Sequence, residues 1–359
     1  MKQLVYHYCS LSTLLNILEH KTIRLSDINK QNDTNESKAL LHITRNRAMQ
    51  IMLSRPGVDS DQTFGGLTYR EFIVYLIDKM IEHVKGYKDL MAYIACFSES
   101  DDYLAQWRGY ADNGRGVAIG FDVETIERLI EQIPDAQLEF RKVHYIDTNK
   151  NVMDCDTTQC NLSLNRHAAK LVETLFSYME RNETKQILDG TYLDSQAGHW
   201  FIPLLQDSFF YKDDSFAEED EWRLILKDEI IKSESDWENI YNWKRTGHSI
   251  RPAMKRLFPK ALEFRVEDND IVSYMDMDFS DGDYMHNDMI REIVIGPNCR
   301  LRKKMYSSFL VILALIPRMS KSVNQILLIV FEYRMKKAVC GQSSTDSFFY
   351  MKITKNNQT

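Results

Sequence analysis

Residues Cys96 to Asp122 read CFSESDDYLAQWRGYADNGRGVAIGFD. In residue types this is an apolar strand, an acidic turn, a helix carrying Trp107 and Tyr110, a glycine turn and a second apolar strand. The ring-bearing, polar middle is held between two rigid ends whose apolar runs read as buried. Flat rings beside polar groups in such a frame suit a planar ligand better than a simple core. Gln106, Trp107, Arg108 and Tyr110 are therefore candidate ligand-binding residues, together with Ser98 at the end of the first strand. Trp107 is also expected to be largely core.

On the N-terminal side, Leu4 to Tyr8 reads as a strand and Ser10 as the cap of a helix with Leu11, Leu14, Leu15 and Leu18 at helical spacing. Ile23 to Leu25 reads as a second strand, ending in the polar loop Asp27 to Glu36. Residues 38–50 and 70–85 read as helices. On the C-terminal side, Asp122 caps a helix over Val123 to Gln132, and 137–146 is strand-like. Residues 147–165 are polar and irregular, and 167–189 is a long amphipathic helix. Glu221 to Leu226, Leu262 to Val266 and Glu292 to Ile295 read as further short strands. Strands broken by helices of unequal length predict an α+β, mixed α/β fold with one sheet system, not a doubly wound parallel sheet.

At 359 residues the chain has room for a substantial core, and 44% hydrophobic with 27% charged residues is a globular composition. MKQLVYHYCS holds no apolar run long enough for a signal peptide, and the longest apolar run, Phe309 to Ile316, is far short of a membrane span. With six scattered cysteines, the expectation is a cytoplasmic protein with reduced thiols and no membrane partner. The net charge of −7 is unevenly spread. Residues 301–359 carry ten Lys/Arg against Glu332 and Asp346, a net of +8, which leaves −15 on residues 1–300. A body that acidic is a poor general nucleic-acid binder. The organisation expected is one core domain over 1–300, with helical insertions near 38–95 and 147–210, and a basic extension over 301–359. That extension is a candidate contact for nucleic acid, an acidic partner or the body itself.

Two constellations carry chemistry. His7 lies on the first strand, facing away from Tyr6 and Tyr8, and a histidine on a rigid strand can donate to ribose or phosphate oxygens. In AEEDEWRLI, strand alternation puts Glu219, Glu221 and Arg223 on one face, where Arg223 can compensate the paired carboxylates. A carboxylate so held can hydrogen-bond a sugar hydroxyl and stabilise an oxocarbenium-like centre. No metal is expected: Cys155, Cys160 and His167 lack a fourth ligand, and the acidic run Asp276, Asp278, Asp281 and Asp283 lacks the closing Glu of a calcium loop. Gly114 and Gly116 alone make no dinucleotide fingerprint.

Four segments, YHYCSLSTLLNIL with IRLSDINKQNDTNE, CFSESDDYLAQWRGYADNGRGVAIGFD, FAEEDEWRLI and IREIVIGPN, resemble the bacterial family named domain of unknown function 2971. The opening strand, Ser-capped helix and second strand are also similar, more distantly, to ADP-ribosyltransferase folds, in particular to DNA-targeting toxins of toxin–antitoxin pairs. That resemblance implies a split antiparallel or mixed sheet with helical insertions. It implies NAD as substrate, with His7 holding a ribose, Glu221 on its 2′-hydroxyl, and Glu219 or Arg223 tuning the carboxylate or orienting the acceptor. Tyr110, Trp107 and Tyr8 are all open for stacking on nicotinamide. Ser10, Asn32 and Asp33 would line the cleft. The implied activity is transfer of ADP-ribose to a protein or nucleic-acid acceptor, or NAD hydrolysis, as in a toxin or anti-phage effector. The alternative is a non-catalytic nucleotide-sensing or protein-binding regulatory module of the same fold.

Overall fold

A computed structural model describes residues 3–28, 38–55, 63–64, 66–86, 92–132, 138–147, 158–181, 185, 188, 201–227, 257–259, 262–267, 269–279, 289–300, 327–334 and 348–355. In chain order the elements are β1 (Leu4–Cys9), α1 (Leu11–His20), β2 (Thr22–Asp27), α2 (Lys38–Leu53), the short hairpin β3 (Thr63–Phe64) and β4 (Leu67–Thr68), and α3 (Tyr69–Gly86). Then follow β5 (Ala92–Ser98), α4 (Leu104–Gly109), β6 (Val117–Asp122), α5 (Val123–Gln132), β7 (Leu138–Lys142), β8 (His144–Ile146), α6 (Thr158–Glu180), α7 (Phe201–Ser208) and β9 (Tyr211–Asp213). The last strands are β10 (Glu221–Lys227), β11 (Glu263–Glu267), β12 (Asp270–Asp278), β13 (Ile290–Ile295), β14 (Leu327–Arg334) and β15 (Phe348–Lys355). The fold is mixed α/β, built on one antiparallel sheet with several helices.

The sheet runs β11-β12-β2-β5-β1-β6-β13-β15-β14, with β10 also on β5 and β7 on β10. It forks at β5. One edge of β5 pairs with β10 along its whole length, from Glu221↔Ser98 to Lys227↔Ala92. The other edge is shared. β1 takes Ser98 through Tyr6, and β2 takes Tyr93 and Ile94 through Asp27 and Ser26. β1 and β2 diverge around Ala95 to Phe97, and α1, capped by Ser10 whose Oγ accepts the Thr13 N–H, bridges them. Within the fork, His7 Nδ1 lies 3.0 Å from the Cys96 carbonyl oxygen. A carbonyl only accepts, so Nδ1 carries the proton, and the imidazole replaces a strand partner.

Register fixes the two faces. Val5, Cys9, Phe97, Ile119, Phe121, Leu224 and Ile293 form a core with α1 and α5 on one face. On the other, Ile94 and Ile225 join a second core under α2, α3, α6 and α7, while Tyr6, Tyr8, Trp107, Ala111, Ala118 and Val294 make a third. The segment from Cys96 to Asp122 is a crossover. β5 and β6 both pair antiparallel with β1, so they run parallel to each other, and α4 passes over β1 to join them. The Trp107 ring stands edge-on to Tyr8 at 4.7 Å, with its Nε1–H donated to Asp102.

Several expectations change. The polar stretch from 158 is the start of α6, which spans 158–180 instead of 167–189; no Gly or Pro interrupts it, and Leu164, Ala168, Leu171, Val172 and Leu175 give it a buried face. Asp276 and Asp278 belong to β12, where Asp276 takes a bidentate ion pair from Arg24; Asp281 and Asp283 lie outside the described residues. The strand-like 137–146 is two strands, broken at Val143 whose N–H goes to Glu221. Of the contacts open to the basic extension, one is with the body: it contributes two strands to the sheet, through the pairing of β15 with β13.

The glycine turn is explained by close approach. At Gly116 a Cβ would stand 2.1 Å from the Cys9 carbonyl oxygen, and at Gly296 2.3 Å from that of Gly114. Here the end of β1, the start of β6 and the end of β13 meet. Gly116→Ala is therefore expected to cost about 3 kcal/mol or more, or to prevent folding; thermal unfolding at near-wild-type midpoint would contradict this packing.

Candidate functional site

β10 begins at Glu221, and its first turn of sequence sets the site. Before it, residues Asp214–Glu219 form a 3₁₀ turn, and Asp220 sits in the left-handed region at φ 43°. The chain therefore turns between the two glutamates, so Glu219 is not on the strand with Glu221 as alternation predicts. Both carboxylates nevertheless reach one cation. Lys212 Nζ lies 2.7 Å from Glu219 Oε2 and 3.0 Å from Glu221 Oε2. Arg223, two residues along the strand, closes on Glu221 from the other side, Nε to Oε1 at 2.9 Å and Nη2 to Oε2 at 3.0 Å. Its Nη1 donates to the Phe209 carbonyl at 2.6 Å.

Lys212, Glu221 and Arg223 are all buried, at 4%, 5% and 1% exposed. Burial of isolated charges costs several kcal/mol each, so the group stands only as a mutually compensating set. Burial pushes the Glu221 carboxyl upward, but Arg223 and Lys212, with a hydrogen bond from the Cys96 thiol, outweigh it and hold it at about 2. Neighbouring elements complete the shell. Tyr145 is the register partner of Lys212 between the parallel strands β8 and β9, and its hydroxyl accepts the Glu221 N–H at 2.9 Å. Tyr110 follows α4 and is half exposed. Burial, with the field of Cys96 and Glu219, pushes its phenol up to about 12.

The structure thus brings together Glu219, Glu221, Arg223 and Tyr110 from the residues singled out in the sequence. Trp107 is core, 2% exposed, as expected. Tyr8 is buried, its hydroxyl donating to the Ser100 carbonyl and accepting the Tyr103 N–H. Ser98 Oγ donates to the Glu219 carbonyl at 2.8 Å, and so holds the turn that presents the carboxylate. Ser10 is occupied as the cap of α1. Gln106 is half-buried and Arg108 exposed on α4. Asn32 and Asp33 lie outside the described residues. His7 is not brought to the carboxylates. It shares a face with Ile119 and Phe97, with its ring 5.8 Å from that of Phe97, while Glu221 pairs with Ser98 and points to the opposite face. Burial lowers its pKa, against the pull of the Cys96 carbonyl.

Three members were not foreseen: Lys212, Tyr145 and Cys96. Lys212 stands on a three-residue strand whose partner β8 is 67 positions earlier in register, too short and too distant a pairing for periodicity to reveal. A separate anion, Asp207 on α7, gathers His167, Arg141, Arg166 and Ser163. Burial raises its pKa, but His167 and Arg141 bring it well below the usual carboxylate range. His167 is thereby engaged by a carboxylate, Cys155 lies outside the described residues, and no group of His, Cys, Asp and Glu fit for a metal occurs among the described residues. No helix among those residues is long and apolar enough to cross a membrane.

Residues 106–224, about a third of the chain, match the model of a family described as a protein of unknown function, DUF2971. This supports the resemblance to that family. The matched stretch contains Tyr110, Tyr145, Lys212, Glu219, Glu221 and Arg223. No curated protein and no solved structure matches the chain.

Removing Glu221 leaves Lys212 and Arg223 buried with one counter-charge fewer. Glu221→Gln is expected to lose about 3–5 kcal/mol of stability at neutral pH. The folded carboxyl titrates below its ordinary value of 4.5, so its stabilisation is complete above that pH and disappears as the pH falls towards about 2. Denaturant melts of wild type and variant should therefore converge on acidification; a gap independent of pH between 5 and 2.5 would contradict the ion-paired assignment.

Proposed function

We propose that the chain is an NAD-consuming enzyme of ADP-ribosyltransferase type, acting at the carboxylate pair beside Tyr110. The observation that carries this reading is the forked sheet with two carboxylates gathered by one buried lysine at the head of β10, next to the fork. Ionised carboxylates in a water-poor setting stabilise positive charge where it develops, as it does on the ribose carbon when nicotinamide leaves. Tyr110 has the ring face to stack on a planar base, since Trp107 and Tyr8 are both buried and packed on each other. The resemblance of the opening strand–helix–strand segment to ADP-ribosyltransferase folds supports the same reading. His7 takes no ligand contact in this reading: it closes the fork from behind. Glu218, hydrogen-bonded to the Tyr103 hydroxyl at 2.6 Å, and Phe216 lie on the exposed 3₁₀ turn that an acceptor, protein or nucleic acid, would approach. If water is the acceptor, NAD is depleted, as suits a toxin or defence effector.

A second reading is favoured by one feature. Both oxygens of Glu221 are already engaged by Arg223 and Lys212, as in a site that binds a nucleotide without cleaving it. Release of nicotinamide separates the two. Wild type incubated with NAD, alone and with bacterial protein or DNA, should release nicotinamide, and Glu219→Gln and Tyr110→Ala should each lower the rate at least tenfold. Nicotinamide release indistinguishable from buffer under every acceptor condition would overturn the enzyme reading, and saturable NAD binding without release would establish the sensing one.

A further inference from the structure

The two glutamates differ in what surrounds them. Glu221 is enclosed: Arg223 holds it bidentately, Lys212 bonds Oε2, the Cys96 thiol donates to it, and its side chain is 7% exposed. Glu219 meets Lys212 through Oε2, its side chain is 20% exposed, and its backbone is held by Ser98. Lys212 itself is 5% exposed in its side chain and sits between the two. A lysine so placed cannot follow one carboxylate without leaving the other, and it is kept in place by the fixed one.

We infer that Lys212 divides the pair into two roles: Glu221 with Arg223 anchors Lys212, and Lys212 holds Glu219 as the carboxylate that meets the ligand. This rests on the proposed function for the identity of the ligand, but not for the division itself. It inverts the assignment that sequence resemblance implies, in which Glu221 touches the ribose and Glu219 assists. Glu219 is then the catalytic residue, and Glu221 and Lys212 are positioning residues. The groups facing this trio are Arg223 from β10, Cys96 from β5, Tyr110 after α4 and Tyr145 from β8. Without Lys212, Glu221 keeps Arg223 while Glu219 loses its ion pair beside a second carboxylate, and so takes up a proton at higher pH.

Labelling of the full-length chain with a water-soluble carbodiimide and an amine, mapped by peptide mass spectrometry across pH, tests this, because the reagent consumes protonated, reachable carboxyls. Glu219 should label at least tenfold faster than Glu221 in wild type. In Lys212→Met the pH profile of Glu219 should move up by about one unit, tenfold in proton affinity, and Lys212→Arg should restore it. Equal labelling of the two glutamates, or an unmoved profile in Lys212→Met, would overturn the division. Should Lys212→Met not fold, the double variant Lys212→Met, Glu219→Gln, which removes one charge of each sign and leaves the Arg223–Glu221 pair intact, is expected to fold; its failure also overturns the division. Added NAD should protect Glu219 at least fivefold. A tenfold labelling difference with no protection by NAD would refute NAD as ligand and leave the division standing.

Discussion

Three buried charged side chains and one at the rim, all at the head of β10, are the constraint around which this molecule is arranged. Lys212, Glu221 and Arg223 are inside, and Glu219 is at the edge. A set of ions taken out of water is costly unless every member is matched, and replacement of such sets by apolar residues is commonly neutral or stabilising. Folding alone therefore gives little reason to keep them. Their positions depend on much of the fold. β9 must pair with β8 to bring in Lys212, β10 must run antiparallel to β5 to set Glu221 by Ser98, and the 3₁₀ turn must end in left-handed Asp220 to return Glu219 to the same lysine.

The fork in the sheet is the second constraint, and it follows from the first segments of the chain. β1 and β2 both pair with β5, at different ends, and α1 joins them. Where they diverge, His7 meets the Cys96 carbonyl through Nδ1 at 3.0 Å. The histidine that looked chemical is thus a backbone partner, while the Cys96 side chain on the other face meets Glu221.

What could be read from the sequence was what is local. Ser10 and Asp122 cap α1 and α5, Asp122 accepting from Thr125 N–H at 3.0 Å, because a cap and its helix are three residues apart. The apolar ends of the Cys96–Asp122 segment are buried strands, and Trp107 is core, because alternation and ring size decide those. The crossover over β1 was not legible: nothing in the segment says that another strand lies between its ends. Alternation also misplaced Glu219, since a single left-handed residue, Asp220, resets the phase. Lys212 and Tyr145 stayed hidden because their pairing spans three residues and a long intervening helix. β12 was obscured by its acidic residues, of which Asp276 is met by Arg24 on the neighbouring strand.

The most direct test of the site is a crystal structure of the chain with a hydrolysis-resistant NAD analogue. The account predicts the nicotinamide ring on the face of Tyr110, with the adjoining ribose within hydrogen-bond distance of the Glu219 carboxylate and Lys212 still bridging to Glu221. An analogue bound on the His7 and Phe97 face of the sheet, or none bound at millimolar concentration, would contradict it.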